Sequence, residues 1–382
     1  MGSGNSVPVK DGMHVVIVGG GYAGSSLAVY LVKKKFCKVT LIDPRDAMFN
    51  NIGALRGVAY EEYTKYVFLP HDEMVGDSFV KGVAESLDLQ NKTVTLKDGK
   101  TVNYTHLVIA TGTRSPFPSK ISGEYPEAST EEATKLFKDY RDQIKSAKRI
   151  VLVGGGAVGV ELAGELKTAF PDKEITIVTS SNHLVTTRSK PGFQKKLNET
   201  LRHKNITVLF GERVSNIGSL PINQYVKDQV VTTESGKEIA AELVIPCTGT
   251  KINKEFYQEA LADAMTPHGA LEVNEYFEVK GHGNVLAIGD VTAIDEEKMA
   301  FLANIHAECV AKNLIAEVKG TKKQPYKPVF GGSLTIMVPV GRLDGVAQIN
   351  GMVFGSLFVR LAKGDDLLAG KLWKQYGLKK PK

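Results

Sequence analysis

Cysteine is scarce: Cys37, Cys247 and Cys309 are the whole complement of a 382-residue chain. They are far apart and form no CxxC or other metal-ligand spacing, so neither a disulfide framework nor a metal site is expected, and a reducing compartment fits. The N-x-T sequons beginning at Asn91, Asn103, Asn198 and Asn205 are then coincidental. Long apolar runs are missing as well. Nothing approaches the roughly 18 residues of a membrane-spanning helix, and LTIMVPV near the end is only strand-sized. The start carries neither an apolar signal core nor an Arg-rich presequence. Charge of one sign is also rare: 48 basic and 42 acidic residues, net +6, are mixed along the chain. The tail is the exception, where Lys371, Lys374, Lys379, Lys380 and Lys382 meet no acid among the last twelve residues. No nucleic-acid-binding module appears, and no nucleic-acid partner is expected.

The 42% hydrophobic content suffices for two or three cored domains. The first is organised by HVVIVGGGYAG. Val15 to Val18 read as a buried parallel strand, because nothing in the run is polar. Gly19, Gly21 and Gly24 follow in GxGxxG spacing, then a helix-like run from Ser25 to Lys34. The glycines suit a tight turn, a close approach to pyrophosphate and helix–strand packing, and the helix N-terminus suits phosphate. A second apolar run ends in Asp43, 24 positions after Gly19, where a carboxylate holds an adenosine ribose. The combination predicts a dinucleotide site.

Residues 44–80 show no decisive pattern. Arg56 in GALRG is either a diphosphate or flavin contact or a surface arginine. From Val83 short alternating strands begin, with a hairpin signal at Asp98 and Gly99. HLVIATG then ends a buried strand at Ala110, Thr111 and Gly112, where backbone passes close to a bound dinucleotide. Residues 114–126 read as an interdomain linker. A helix is predicted over 130–146 with Ala133, Leu136, Phe137, Tyr140 and Ile144 on one face.

The opening pattern then recurs. RIVLVGGGAVG places Gly154, Gly156 and Gly159 after a strand, 135 positions beyond the first set, and EITIVT supplies the second strand. A hairpin at Ser235 and Gly236 and the strand ELVIPCTG repeat the end of the first unit. Two such sites suggest a donor nucleotide and a tightly held redox cofactor, NAD(P)H and FAD. Thr179, followed by Ser180 and Ser181, stands where Asp43 stands in the first unit. No carboxylate is there to repel a 2′-phosphate, and His183, Arg188 and Lys190 lie downstream, so NADPH is expected to serve as well as NADH. Near residue 285, NVLAIGD reads as the chain returning to the first domain, with Gly289 and Asp290 near a ribitol hydroxyl or, for the Asp, as a helix N-cap. A helix is predicted from Lys298 to about Val318. Lys298 either steadies negative charge on a reduced flavin or is a solvated helix-start lysine.

The order VVIVGGG, Asp43, ATG, VLVGGGAVGVELAGE, VIPCTG and AIGD resembles the two-dinucleotide-binding-domain flavoproteins. That group includes type II NADH dehydrogenases, apoptosis-inducing factor and disulfide reductases. The resemblance covers essentially the whole chain and is carried further by MGS, ALR at 54–56, ERVSN at 212–216, CTGTKIN at 247–253, KMAFLANIHA at 298–307 and DGVAQING at 344–351. It implies an α/β fold with two Rossmann-like domains, the second inserted in the first, and a small α+β cap. The expected boundaries are 13–115 with 250–325 for FAD, 116–249 for NAD(P)H and 326–382 for the cap, after an N-terminal segment 1–12. Carried over by position, the flavin contacts are Gly19, Gly20, Gly21, Tyr22, Ala23, Arg56, the backbone at Ala84, and Asp290. Glu161, expected in the first turn of the second phosphate-binding helix, is implied as the acid near the nicotinamide. Its alternative is a carboxylate suited to the helix dipole.

The implied activity is FAD-dependent reduction of ubiquinone-type and vitamin K-type quinones by NADH or NADPH at membranes, limiting lipid peroxidation. A disulfide reductase would need a cysteine pair after the first unit, and none is there. A ferredoxin-type reductase and a flavin-bound signalling protein are the remaining alternatives. Gly2 with Ser6 fits the N-myristoylation pattern, or is a start without a role. One such chain attaches weakly, so a second membrane signal is expected in the tail: Leu368, Leu372 and Trp373 on one face, flanked by lysines. The alternative is a tail that packs on the enzyme. The expected location is the cytosol and the cytoplasmic face of lipid droplets, plasma membrane and outer mitochondrial membrane, with a homodimer possible.

Overall fold

The apolar run after the first residues becomes β1 (His14–Val18), whose Val15, Val16 and Ile17 are wholly buried. A strand with no polar side chain after its first residue takes a central place in a sheet covered on both faces. The order is Glu278–Val279, His282–Ala287, His106–Ile109, β1, β2 (Lys38–Asp43), Phe79–Lys81, with only the outermost Glu278–Val279 antiparallel to its neighbour. The structure is a computed structural model and describes residues 12–121, 123–329, 333–363 and 366–382. Its helices run in chain order as α1 (Tyr22–Lys34), α2 (Asn51–Ala59), α3 (His71–Val75), α4 (Thr130–Ser146), α5 (Ala157–Ala169), α6 (Pro191–His203), α7 (Ala300–Val318), α8 (Ser356–Lys363) and α9 (Ala369–Gln375). Among the described residues, no helix is long and apolar enough to cross a membrane.

The second sheet repeats the first on a smaller scale. Ile206–Phe210, Glu174–Thr179, Arg149–Val153 and Leu243–Pro246 lie side by side, all parallel. The strand His282–Ala287 joins the first sheet, so the chain leaves that sheet, builds the second and returns. Outgoing Thr113–Arg114 and returning Lys251–Ile252 pair as antiparallel strands. The segment expected to be a linker is therefore structured. Phe117 within it is buried edge-on to Phe137 and Tyr140 of α4, with ring centroids 5.2 and 4.8 Å apart. The helix itself starts where Ser129 and Glu132 form a capping box. Its Ala133, Phe137, Tyr140 and Ile144 are buried, as the periodicity requires, while Leu136 is half-buried.

Residues 44–80, which the sequence left open, fold into Ala47–Phe49, α2, the 3-10 helix Glu61–Tyr66, Phe68–Pro70 and α3. The last residues divide their packing. The antiparallel sheet Ile336–Val340, Asp344–Ile349, Met352–Phe354 rests on α5, so closely that a Cβ on Gly164 would stand 2.4 Å from the Gly341 nitrogen. The end of the chain instead buries Trp373 and Tyr376 in the core beneath α1 and α7.

Candidate functional site

Each sheet ends in a glycine turn that opens a helix. Gly19 and Gly154 have φ of +108° and +126°, and a Cβ on either would lie within 2.5 Å of Ala110 Oand Thr248 Cγ2 respectively. The middle glycines differ. Gly21 and Gly156 are the N-caps of α1 and α5, neither helix has a side-chain cap, and a Cβ on either would meet nothing within 4 Å. The outer glycines are thus demanded by the chain and the middle ones by whatever approaches the helix ends. These cradles fit the diphosphates of two dinucleotides. In the first loop the Asp43 carboxylate accepts Gly20 N–H at 2.6 Å and Arg45 N–H at 2.9 Å. In the second, the Thr179 hydroxyl accepts Ser181 N–H at 3.3 Å, and Arg188 reaches Asp295 at 3.9 Å.

Tyr22 and Ala23 start α1 buried, and the Tyr22 hydroxyl donates to Asn50 at 2.7 Å. Gly24 seals the turn, since a Cβ there would lie 1.8 Å from Gly19 O, and Gly159 does the same against Gly154 O at 2.0 Å. Ala84 opens the strand beyond Gly82, whose N–H donates to Asp43 O at 3.0 Å. Ala110 continues the sheet by donating to Val18 O, and Thr111 and Gly112 are clasped by Asn253. Thr111 Oγ1 donates to Asn253 O, Asn253 Nδ2 to Thr111 O, and Asn253 N–H to Gly112 O, at 2.7, 2.9 and 3.1 Å. Asn253 stood in CTGTKIN, but only the crossing of the two strands reveals its work.

Asp290 follows Gly289 as expected. Thr113 Oγ1 donates to its Oδ2 at 3.0 Å, and Lys120 Nζ lies 3.4 Å from the same atom while also bonding Thr113. The Lys298 ammonium donates to Thr292 O and Ile294 O, both at 2.9 Å, and so braces the turn after Asp290, while α7 begins at Ala300. Lys120, hidden in the sequence inside the supposed linker, is a cation that reaches the Asp290 carboxylate.

Glu161 lies at the fifth position of α5, in the second turn and not the first, so a dipole role at the helix start does not account for it. Lys363, at the end of α8, approaches it to 3.9 Å. Burial pushes the Glu161 carboxyl up to about 7, with Lys363 opposing and the nearby Glu165 adding to the rise. Arg56 completes the group in an unexpected way. It is not at the surface. Its guanidinium, 2% exposed, binds Glu165 of α5 at 2.7 Å and tilts over the Tyr63 ring. Arg56 thus ties α2 to α5 through Glu165. The first sheet's α2, the second sheet's α5 and the cap's α8 meet in this charged cluster. Lys363 closes an amphipathic run, SLFVRLAK, and nothing local marks it.

The tail does not present a membrane face. Trp373 is buried, Leu372 packs partly buried on the same core, and Leu368 is half-buried at the N-cap of α9. Lys380 pairs with Asp366 at 2.7 Å. A helix whose apolar side already fills the enzyme's core has none left for lipid. The three most exposed large apolar side chains among the described residues lie instead on α8 and the strand before it: Leu357, Leu361 and Met352 are 72, 77 and 60% exposed. Gly2 lies outside the described residues.

Residues 13–311 match the family described as pyridine nucleotide-disulphide oxidoreductase. Ferroptosis suppressor protein 1 of Homo sapiens is 39% identical over 373 residues, 97% of this chain and 98% of that protein. The sulfide:quinone oxidoreductase of the hyperthermophilic bacterium Aquifex aeolicus superposes with a TM-score of 0.74 at 20% identity, over 96% of this chain and 92% of that one. A ferredoxin reductase from Rhodopseudomonas palustris does so with a TM-score of 0.68 at 19% identity, over 87% and 81%. At those identities the two structures speak to fold alone, and they bear out the doubly dinucleotide-binding α/β architecture. The chain belongs to the pyridine nucleotide-disulphide oxidoreductase family and, within it, to the ferroptosis suppressor proteins.

Proposed function

We propose that the protein is an NAD(P)H:quinone oxidoreductase, holding FAD on the first glycine loop and exchanging NADH or NADPH on the second. The observation that supports the quinone reading is a partly apolar cleft of about 40 Å³ at the start of α7. Met299, Phe301, Leu302, Pro328, Val329 and Leu334 form its apolar part, and Arg188, Asp295, Glu296 and Glu297 add charged side chains to the lining. A flat apolar ring with two polar oxygens suits a lining of that mixed kind. The three cysteines are free and apart, which leaves no dithiol for disulfide chemistry.

Bound flavin supplies the hydride and electron-transfer chemistry. The protein's share is placement and protons. Asp43 and the first loop orient the adenosine end, Asp290 with Thr113 and Lys120 receives the ribityl region, and the Asn253 clasp fixes the strand ends between the two sheets. Glu161, poised near neutral pH beside Lys363, holds or yields a proton where nicotinamide and flavin meet. The cap, seated on α5, keeps water from that meeting point. The absence of a carboxylate at Thr179 supports use of both nucleotides.

Membrane attachment rests on Gly2 as a myristoyl acceptor and on the α8 face, with Arg360 beside the exposed leucines, at the cytoplasmic side of membranes. The test is turnover. The purified protein should be yellow and should oxidise NADH with a short-tailed quinone but not with ferredoxin. Turnover with ferredoxin alone would replace the quinone reading. Leu357→Glu with Leu361→Glu should lower binding to anionic vesicles while short-tailed quinone turnover persists. Loss of a dimer instead would assign that face to a second copy of the chain.

A further inference from the structure

The turn carrying Asp290 is held from behind by a histidine. Gly289 N–H donates to His306 Nδ1 at 3.2 Å, and the ring is 2% exposed within α7. Gly289 is itself wedged against the first loop's helix, since a Cβ there would lie 3.1 Å from Ala23 Cβ. Whatever moves the Gly289 nitrogen therefore moves the corner between the two flavin-facing segments.

An imidazole can accept at Nδ1 only if that nitrogen carries no proton. In a neutral ring the proton must then sit on Nε2. Nε2 faces Glu296 Oε1 at 2.5 Å, and an ionised carboxylate is an acceptor only, so it holds the proton on that side. The second oxygen, Oε2, accepts the Tyr326 hydroxyl at 2.8 Å. Tyr326 in turn packs against His306 and Phe277, each with ring centroids 5.0 Å apart, and its N–H donates to Glu275 O at 2.7 Å. The lock is complete: every polar atom in it has a partner. Glu296 also stands on the wall of the cleft described above.

We propose that Glu296 is a positioning residue that fixes the tautomer of His306, so that His306 holds the Gly289–Asp290 corner in its flavin-binding geometry. Without the carboxylate, the ring can place its proton on Nδ1, against the Gly289 N–H, and the corner is pushed out. The inference rests on FAD occupying the first loop, but its first readout does not.

Long-range proton–nitrogen NMR of the imidazole reads the tautomer directly. The wild-type chain and Glu296→Gln, whose amide oxygen can still accept, should show the proton on Nε2, and Glu296→Ala should show both forms. FAD affinity of the deflavinated protein should fall about tenfold in Glu296→Ala and be restored by Glu296→Gln to within about twofold. His306→Asn keeps an acceptor where Nδ1 stood without a tautomer to choose, so Glu296→Ala should cost nothing further in that background. The cycle makes the same hole at Glu296 in both backgrounds, so the cost of the hole itself cancels. An Nε2 proton that survives in Glu296→Ala overturns the proposal. So does an equal loss of FAD affinity in both histidine backgrounds, or a tautomer change without any loss of affinity. Failure of the wild-type chain to bind FAD at all would instead remove the functional reading, with the tautomer result left standing.

Discussion

The two glycine loops are built alike and finished differently. Aligned on their turns, Ser26 of α1 and Glu161 of α5 occupy the same helical position, the second turn after the phosphate-binding end. Each meets the C-terminal stretch of the chain. Ser26 lies 3.1 Å from the Tyr376 hydroxyl, under a tail that buries Trp373 beside it. Glu161 lies 3.9 Å from Lys363 of the cap. On the proposed reading, a neutral hydroxyl under a packed aromatic tail suits a closed site that retains its ligand. A carboxyl titrating near pH 7 against an ammonium makes a site that can change charge as ligands come and go. The repeat supplies two equal cradles, and the residues laid over them assign the tasks.

The closed half breaks hardest. Trp373→Ala should cost about 3–5 kcal/mol in urea unfolding, as for other buried tryptophans, and should release flavin. In the charged cluster beside Glu161, Arg56→Ala should cost a similar 3–5 kcal/mol, because it strands the buried Glu165 carboxylate without its partner. If either cost less than about 1 kcal/mol, the packing account of its half would be wrong.

The exchanging half should break with pH. The folded-state pKa of Glu161 is raised from 4.5 to about 7, so the native protein keeps a proton that the unfolded chain has already lost. Stability therefore declines as pH rises from 4.5 to 7 and is flat above. Glu161→Gln removes that decline, so relative to wild type it should gain about 3 kcal/mol between pH 4.5 and pH 8. Parallel unfolding curves for the two proteins across this range would contradict the assignment. Thr179→Asp should then turn comparable use of NADH and NADPH into about a hundredfold preference for NADH, roughly 2.7 kcal/mol, in kcat/KM. The smallest effect belongs to the exposed face: Leu357→Glu should change stability by no more than about 0.5 kcal/mol.

Much of this was legible beforehand because both loops are local in sequence. A strand, three glycines and a helix specify themselves within a dozen residues, and Asp43 follows at a fixed distance. The helix of residues 130–146 was legible for the same reason: its stripe and its cap lie within it. What escaped notice depends on chain segments far apart. Lys120, Asn253 and Lys363 acquire their roles only when the strands cross or the cap settles on α5. Lys298 and Arg56 were noticed as cations, but the sequence does not say that carbonyls and Glu165 already hold them. The tail failed as a membrane face because an i, i+4 apolar stripe has the same pattern whether it meets lipid or the α1–α7 core. Leu357 and Leu361 on α8 show that stripe too, and only the tertiary packing separates the two.

The difference between the loops is tested most directly by anaerobic stopped-flow bleaching of the flavin with NADH in Glu161→Gln. Glu161 belongs to the exchanging site and not to the closed one, so the variant should keep its flavin at full occupancy while reduction slows by about tenfold or more. Reduction at the wild-type rate, or loss of the flavin on purification, would contradict the division of tasks between the two loops.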